Sequence, residues 1–375
     1  MGIDYDVIVV GGGVVGVATA RAAARSGRSV LLLEQHRFDH SGGSSHGGMR
    51  AFAFAHPDPA LVDDAVEALA LWRELEAEQG VELIERTGSG LRTADVERVT
   101  ARLAAHGVEH EVLEPEQVAA RFGIDLAPGG PVVVTREGGT LYARRAIEAL
   151  VASARAAGAE LRAGARVLAI EADAATGCDD ATAARLAGEA IEPGGDGDGV
   201  TVRCADGTCA RAATVVVAAG PWAAPLLAPL GIALDVKVVR RTVAFFPLRS
   251  GAVLPPCIYE DGDPPVYWVS SAAEGLKIGE ARSSGPLVDP DVAAGPSAEL
   301  LQRLTDYVAR HFSQLAEPAP SRAESCLATY TPDRAFRLER HGRVVSAAAC
   351  CGRGFKLAPL TGERLAHLAR DPALA

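Results

Sequence analysis

Apolar and polar positions change rhythm several times along the chain, and each change predicts an element. From Tyr5 to Val10 the run YDVIVV is short, apolar and β-branched, which predicts a buried strand. Val14 to Arg25 is rich in alanine and has helical composition, and Gly27 stops it. Ser29 to Leu33 is a second apolar strand, with Glu34 at its end. Leu61, Val66, Leu69, Leu71, Trp72 and Leu75 then mark an amphipathic helix over Ala60–Glu78, with Trp72 read as core. From Val81 to about Gly139 the periods shorten. ELIERTGSGLRTA predicts strand, glycine turn, strand, and ADVERVTARLAAHG and LEPEQVAARFG predict two helices, the second with Pro115 near its start.

The α/β rhythm returns with a helix from Tyr142 to Ala157 and the strand-like AELRAGARVLAIEAD. The stretch between Ala172 and Gly199 is acidic and rich in Gly, Ala and Asp; it reads as a surface hairpin excursion without chemistry. A turn at Asp206–Gly207 joins two strands, the second buried over Thr214–Ala219 and ending at Gly220. Val236–Pro247, Tyr267–Trp268 and GLKIG around Lys277 are β-rich, and a helix capped at Ser297 runs to Phe312. The segment from Cys326 onward gives a strand, a glycine turn and a terminal helix. These periods predict an α/β (α+β) fold. A Rossmann-type dinucleotide domain comprises 1–80, 140–235 and 318–375, and a mixed-sheet domain is inserted as 81–139 and 236–317. A length of 375 residues agrees with two cores.

Composition narrows the partners. A hydrophobic share of 48% with 23% charged residues fits an ordinary globular protein, and the net charge of −11 argues against a nucleic acid or an anionic membrane. No apolar stretch is long enough to span a bilayer, and the chain enters its first strand too early for a signal peptide, so a cytoplasmic location is expected. The seven cysteines are irregularly spaced and form neither a disulfide framework nor a zinc pattern, so no metal site is expected. Cys350–Cys351 is read as a pair of small packing residues.

Chemistry enters at the first turn. Gly11, Gly13 and Gly16 have the spacing G-x-G-x-x-G between a strand and a helix. Gly11 allows the tight turn, Gly13 a close approach of pyrophosphate, and Gly16 close helix–strand packing. The pyrophosphate would sit on the positive end of the helix, and Glu34 would accept hydrogen bonds from the adenosine ribose. Strand, helix, strand and acid in register predict dinucleotide binding, which leaves FAD and NAD both open. The loop SGGSSHGGMRAFAF, Ser41 to Phe54, can turn backbone N–H groups and hydroxyls towards a phosphate or a ring system.

With these residues in view, the chain resembles the monomeric sarcosine oxidase family of D-amino-acid-oxidase-like flavoproteins, whose relatives include N-methyltryptophan, pipecolate and fructosyl-amine oxidases. The glycine fingerprint, GGSSHGGMR, LALWRELE, AGPWAAPLL, EGLKIGEA, CLATYTPD and GRGFKL carry the resemblance, in this order, over almost the whole chain. It implies FAD, covalently joined through Cys326. Lys277 is implied to activate oxygen over the flavin, since a fixed ammonium stabilises the negative charge created on O2. Arg50 is implied near the flavin face and Lys356 at the substrate carboxylate. Ser44, Ser45 and His46 fall in the loop passing the pyrophosphate and ring, and the backbone of Val167 meets the adenine. Gly220, from AGPW, and Gly352, Gly354 and Phe355, from the stretch around GRGFK, complete the expected cofactor contacts.

Three polar positions of the family are alanine in this chain: Ala53, Ala281 and Ala328. Loss of one arginine from a two-point carboxylate clamp removes a charge-assisted hydrogen bond, so sarcosine itself is an unfavourable substrate. The resemblance therefore implies an FAD-dependent oxidase of a secondary amine, cyclic imino acid or bulky amino acid, producing hydrogen peroxide from O2, with a monomer as the expected state. The rival readings are a flavin dehydrogenase with another acceptor and a dinucleotide-binding relative without catalysis.

Overall fold

The computed structural model describes residues 2–172, 199–252, 254–260, 265–281, 287–348 and 351–370. The excursion expected between Ala172 and Gly199 falls almost wholly outside them, as does Cys350.

The first sheet has a parallel centre. Strand β1 (Tyr5–Val10) lies between β2 (Val30–Glu34) and β12 (Cys209–Val217), and β9 (Glu160–Ala163) extends the sheet beyond β2. On the other side β11 (Val200–Cys204) and β10 (Val167–Ala172) run antiparallel, while β19 (Val344–Ala348) and β18 (Arg337–His341) join at the far part of β12. Both faces of β1 are covered, which is why its sequence is nearly all apolar. Val7 and Val9 point into one core with Leu32 and Trp72, and Ile8 and Val10 into another with Leu31, Val200 and Val215. Helix α1 (Val14–Arg25) packs between α5 (Ala143–Ala156) and α8 (Ala358–Leu368). The crossing with α8 needs Gly362, where a Cβ would stand 2.5 Å from the Ala18 carbonyl carbon.

The second sheet is ordered β17 (Arg322–Tyr330), β13 (Lys237–Phe246), β16 (Gly275–Glu280), β15 (Val266–Ser271), β14 (Cys257–Glu260), β5 (Ser89–Arg92), β7 (Val132–Thr135), β6 (His110–Leu113). Helices α3 (Val96–Ala105) and α4 (Pro115–Phe122) accompany its far edge, and α7 (Ala298–His311) covers one face. Alternation along the strands divides the two faces. Ala244, Phe246 and Ile278 pack with Leu304, Val308 and Phe312, whereas Val243 and Phe245 point the other way and meet Met49. A small third sheet of β3 (Met49–Phe52), β8 (Gly139–Tyr142) and β4 (Ile84–Glu85) thus backs the second face, with α2 (Pro59–Gln79) following β3. The short helix α6 (Ala223–Leu227) follows the turn after β12.

Pairing sorts two stretches between the sheets. The two strands expected in ELIERTGSGLRTA both form, but apart: β4 pairs with β8, and β5 pairs with β7 and β14 in another sheet. Gly88, at φ +84° with its N–H bonded to the Gly138 carbonyl, redirects the chain between sheets. Cys326 lies within β17, which pairs with β13 from Lys237↔Tyr330 to Phe245↔Arg322. Residues 322–330 therefore belong to the second sheet, although the boundary expected at 318 falls before them.

Candidate active site

The turn after β1 is built for close approach. Gly11 adopts φ +106°, and a Cβ there would lie 2.6 Å from the Ala218 carbonyl oxygen; a Cβ on Gly16 would overlap the carbonyl oxygen of Gly11. Gly13 is the N-cap of α1 and provides no side-chain cap, while the Val14 N–H donates to Ser45 Oγ at 3.1 Å. Glu34, only 4% exposed, accepts from the Gly12 N–H at 2.6 Å and the His36 N–H at 2.8 Å.

A cavity of about 400 Å3 opens from this turn. Gly11, Gly13, Glu34, Ser44, Ser45, Val167, Gly220, Gly354 and Phe355 all line it, so nine residues singled out in the sequence meet on one surface although they lie far apart in the chain. Its walls also include Leu33, Pro221, Trp222, Thr329 and Phe336. Gly16 works one layer behind, as helix packing. The donor set fits FAD: glycines leave open the space that side chains would fill, the helix N-terminus carries partial positive charge, and a buried acid stands at the end of β2.

Arg50, His46, Lys277, Cys326, Gly352 and Lys356 do not line that cavity and are held beside it. Lys277 sits on β16 between Leu276 and Ile278, with the parity that turns it towards β3. It is 4% exposed, its Nζ donates to the Met49 carbonyl at 2.8 Å, and it stands 5.8 Å from the Phe245 ring centroid. Burial lowers its pKa to about 7, with the charge of Arg50 acting in the same direction. Arg50 donates to the Met49 carbonyl at 2.8 Å, to the Ser44 carbonyl at 2.9 Å and to the His46 carbonyl, and its guanidinium lies over the Phe355 ring at 5.3 Å. It ties the loop of 44–50 to the same surface as Gly354–Phe355.

His46 is neutral at physiological pH, its pKa lowered to about 4 by burial and then by Arg50, and its Nε2 is buried without a hydrogen-bond partner among the described residues. Lys356 Nζ donates to the Ala53 carbonyl at 2.7 Å. The Lys356 carbonyl accepts from Trp72 Nε1 at 2.8 Å, and the Trp72 and Phe355 rings stack at 6.4 Å, so Trp72 is a core residue that also positions the site. Gly352 adopts φ +82° directly after Cys351, which is itself at φ 49°.

Several residues at this site were not singled out in the sequence. Arg241, opposite Cys326 across the β13–β17 ladder, lies over the Tyr267 ring at 5.2 Å and donates to the Tyr330 hydroxyl at 3.4 Å. Glu324 stands near both His46 and Lys277. The signal for Arg241 was its parity: it falls on the same side of the strand as Val243 and Phe245.

A sequence profile described as FAD dependent oxidoreductase (DAO) matches residues 6–368. The chain belongs to this family. Peroxisomal sarcosine oxidase of Homo sapiens is 31% identical, with 97% of this chain and 92% of that protein covered. N-methyl-L-tryptophan oxidase of Yersinia pestis is 27% identical, covering 98% and 96%. Among solved structures, NikD, described as an unusual amino acid oxidase essential for nikkomycin biosynthesis, superposes with a TM-score of 0.82 at 29% identity, covering 98% of this chain and 94% of that one. The expected family and Rossmann-type fold are thereby borne out. As a member of this family the protein is an FAD-dependent oxidoreductase, and the relatives named above are oxidases of amines or amino acids. No helix among the described residues is long and apolar enough to cross a membrane.

Proposed function

We propose that the protein oxidises a secondary amine, a cyclic imino acid or a bulky amino acid, with O2 as the electron acceptor. The observation that carries this reading is the buried Lys277 ammonium bonded to the Met49 carbonyl, beside Arg50 and the cavity that ends at Gly354–Phe355. When bound, FAD supplies two-electron chemistry: the amine gives up a hydride and a proton to become an imine, and O2 takes up two electrons and two protons as hydrogen peroxide.

The chain's own groups bind, orient and stabilise charge. Lys356, anchored on the Ala53 carbonyl, offers an ammonium to a substrate carboxylate. Lys277 places a cation where reduction of oxygen builds negative charge. The strand position of Cys326, opposite Arg241, is the proposed point of covalent flavin attachment. Val243, Phe245 and Val269 with Met49, Ala53 and Tyr267 make an apolar wall that excludes water from the reacting centre. Short side chains at Ala53 and Ala328 leave room for a substrate larger than sarcosine.

Anaerobic titration of the holoenzyme with secondary amines, cyclic imino acids and bulky amino acids tests this reading through flavin bleaching. Oxygen uptake and peroxide release then follow turnover against an artificial acceptor. Bleaching by a bulky amine with stoichiometric peroxide is expected. Bleaching only by small N-methyl amino acids would refute the substrate class, and turnover only with the artificial acceptor would refute oxygen as the acceptor.

A further inference from the structure

We propose that Arg241 is a substrate-binding residue: an anion-recognising guanidinium on β13 that receives the carboxylate of the substrate from the sheet side, opposite Lys356. The inference deepens the proposed function and rests on it for the site's location.

Position comes first. Arg241 shares the inward face of β13 with Val243 and Phe245, and Val243 packs with Ala53, whose carbonyl accepts from Lys356 Nζ at 2.7 Å. The two cations therefore flank one apolar patch. Arg241 is half-buried, so its charge is neither dissolved in bulk water nor sealed in a core. Its guanidinium is held by several contacts at once: it donates to the Glu280 carbonyl, to the Tyr330 hydroxyl at 3.4 Å, and lies 5.2 Å from the Tyr267 ring centroid. A planar fork fixed by a carbonyl, a hydroxyl and an aromatic face keeps its orientation before the ligand arrives.

Space comes second. Glu280 is followed by Ala281, and on the neighbouring strand Ala328 clusters with Val239 and Tyr330. Among the described residues, short side chains at Ala281 and Ala328 and the rings of Tyr267 and Tyr330 surround this part of β13. A hypothetical Cβ on Gly352 would come within 3.9 Å of Arg241 Nη1, so the glycine turn before Phe355 runs alongside the guanidinium.

Charge comes third. Arg50 and Arg241 both lower the pKa of Lys277, whereas Glu324 opposes them, so three basic side chains and the Glu324 carboxylate share one partly dehydrated region. Such a cluster gains when an anion enters, because the ligand offsets cation–cation repulsion as well as forming its own charge-assisted hydrogen bonds. An aromatic plate beside the fork suits a carboxylate carried on a planar or cyclic body.

The test uses the holoenzyme, its Arg241→Gln and Arg241→Lys variants, and two non-reacting probes, benzoate and benzamide, titrated by calorimetry. Benzoate affinity is expected to fall at least about 10-fold in Arg241→Gln and by a smaller factor in Arg241→Lys, which keeps charge but loses the fork, while benzamide binding stays within about 2-fold. Unchanged benzoate affinity in either variant overturns the proposal, as does equal weakening of both probes, or no binding of benzoate by the parent. If Arg241→Gln does not fold, Arg241→Lys alone decides by the same comparison. Loss of benzoate binding together with failure of every amine to bleach the flavin would refute the proposed function and leave the anion site standing. The converse pattern would refute the anion site alone.

Discussion

Lys277 Nζ donates a 2.8 Å hydrogen bond to the carbonyl of Met49, a residue 228 positions earlier in the chain. The bond joins the second sheet to β3 and fixes the cation in place on that strand. Burial penalises the ammonium and Arg50 repels it, which brings its pKa to about 7. The Met49 carbonyl pulls the other way by accepting from the protonated form. A lysine poised near neutrality responds to any anion that arrives beside it.

The first prediction follows from this poise. Below about 7 Lys277 is an ammonium and above it an amine, so reoxidation of reduced flavin by O2 is expected to slow as pH rises through that value. In Lys277→Met the reoxidation rate should fall by about 100-fold and lose its pH dependence, whereas anaerobic reduction by substrate should change far less. Stopped-flow traces of the two half-reactions separate these effects. Equal slowing of both halves would mean that Lys277 acts on substrate and not on oxygen.

Gly16→Ala tests the opening turn. Its Cβ would overlap the carbonyl oxygen of Gly11, a backbone atom that cannot rotate away. The helix must shift from β1, with a stability loss on the order of 3 kcal/mol and a release of FAD. Gly27→Ala provides the comparison: Gly27 adopts φ +83° with nothing near a Cβ, so its cost is backbone strain alone, about 1 kcal/mol. Thermal melting with flavin fluorescence reads both quantities, and a Gly16→Ala variant that melts with its parent would contradict the packing role.

Legibility in the sequence followed how local each cause is. The strand–glycine–helix unit, Glu34 and the Ser297 cap, whose Oγ accepts from the Leu300 N–H at 3.3 Å, depend on residues close in sequence and were readable from spacing. Strand pairing depends on distant partners, so the two strands of ELIERTGSGLRTA, residues 82–94, went to different sheets as β4 and β5, and β17 joined the second sheet. The site showed the same division. Gly11 and Gly13 announced themselves, whereas Lys277 and Lys356 were reached through family resemblance, because a lysine in a strand or loop has no local mark of its partner. Arg241 shows what was still available: the inward parity of β13, once that strand is known to face β3.

Cys326→Ser addresses the proposed attachment. Cys326 is a free thiol, half-buried, within β17 and opposite Arg241. Acid-precipitated parent protein should stay yellow, and its intact mass should exceed that of the polypeptide by one flavin. The Cys326→Ser variant should release its flavin on precipitation and show the bare polypeptide mass. Covalent colour surviving in the variant would move the attachment to another residue, and colourless parent precipitate would remove it altogether.

The last prediction concerns acid. His56 Nδ1 accepts the Asp58 N–H at 2.9 Å, which requires a neutral ring nitrogen, and burial followed by the charge of Lys356 lowers its pKa to about 4. His46 is lowered to about 4 as well, by burial and by Arg50. Both groups start from 6.5, so between 6.5 and 4 the unfolded chain binds more protons than the folded one. The stability they contribute is complete above 6.5 and is lost as pH falls through 4. The melting temperature should therefore decline as pH is lowered across this window, and less steeply in His56→Gln, whose amide oxygen can still accept from Asp58 but binds no proton. Melting curves of the parent and His56→Gln holoenzymes at half-unit intervals measure the two slopes. Equal slopes would place the acid sensitivity elsewhere, because a histidine that titrates normally in the folded state has no linkage to unfolding in this range.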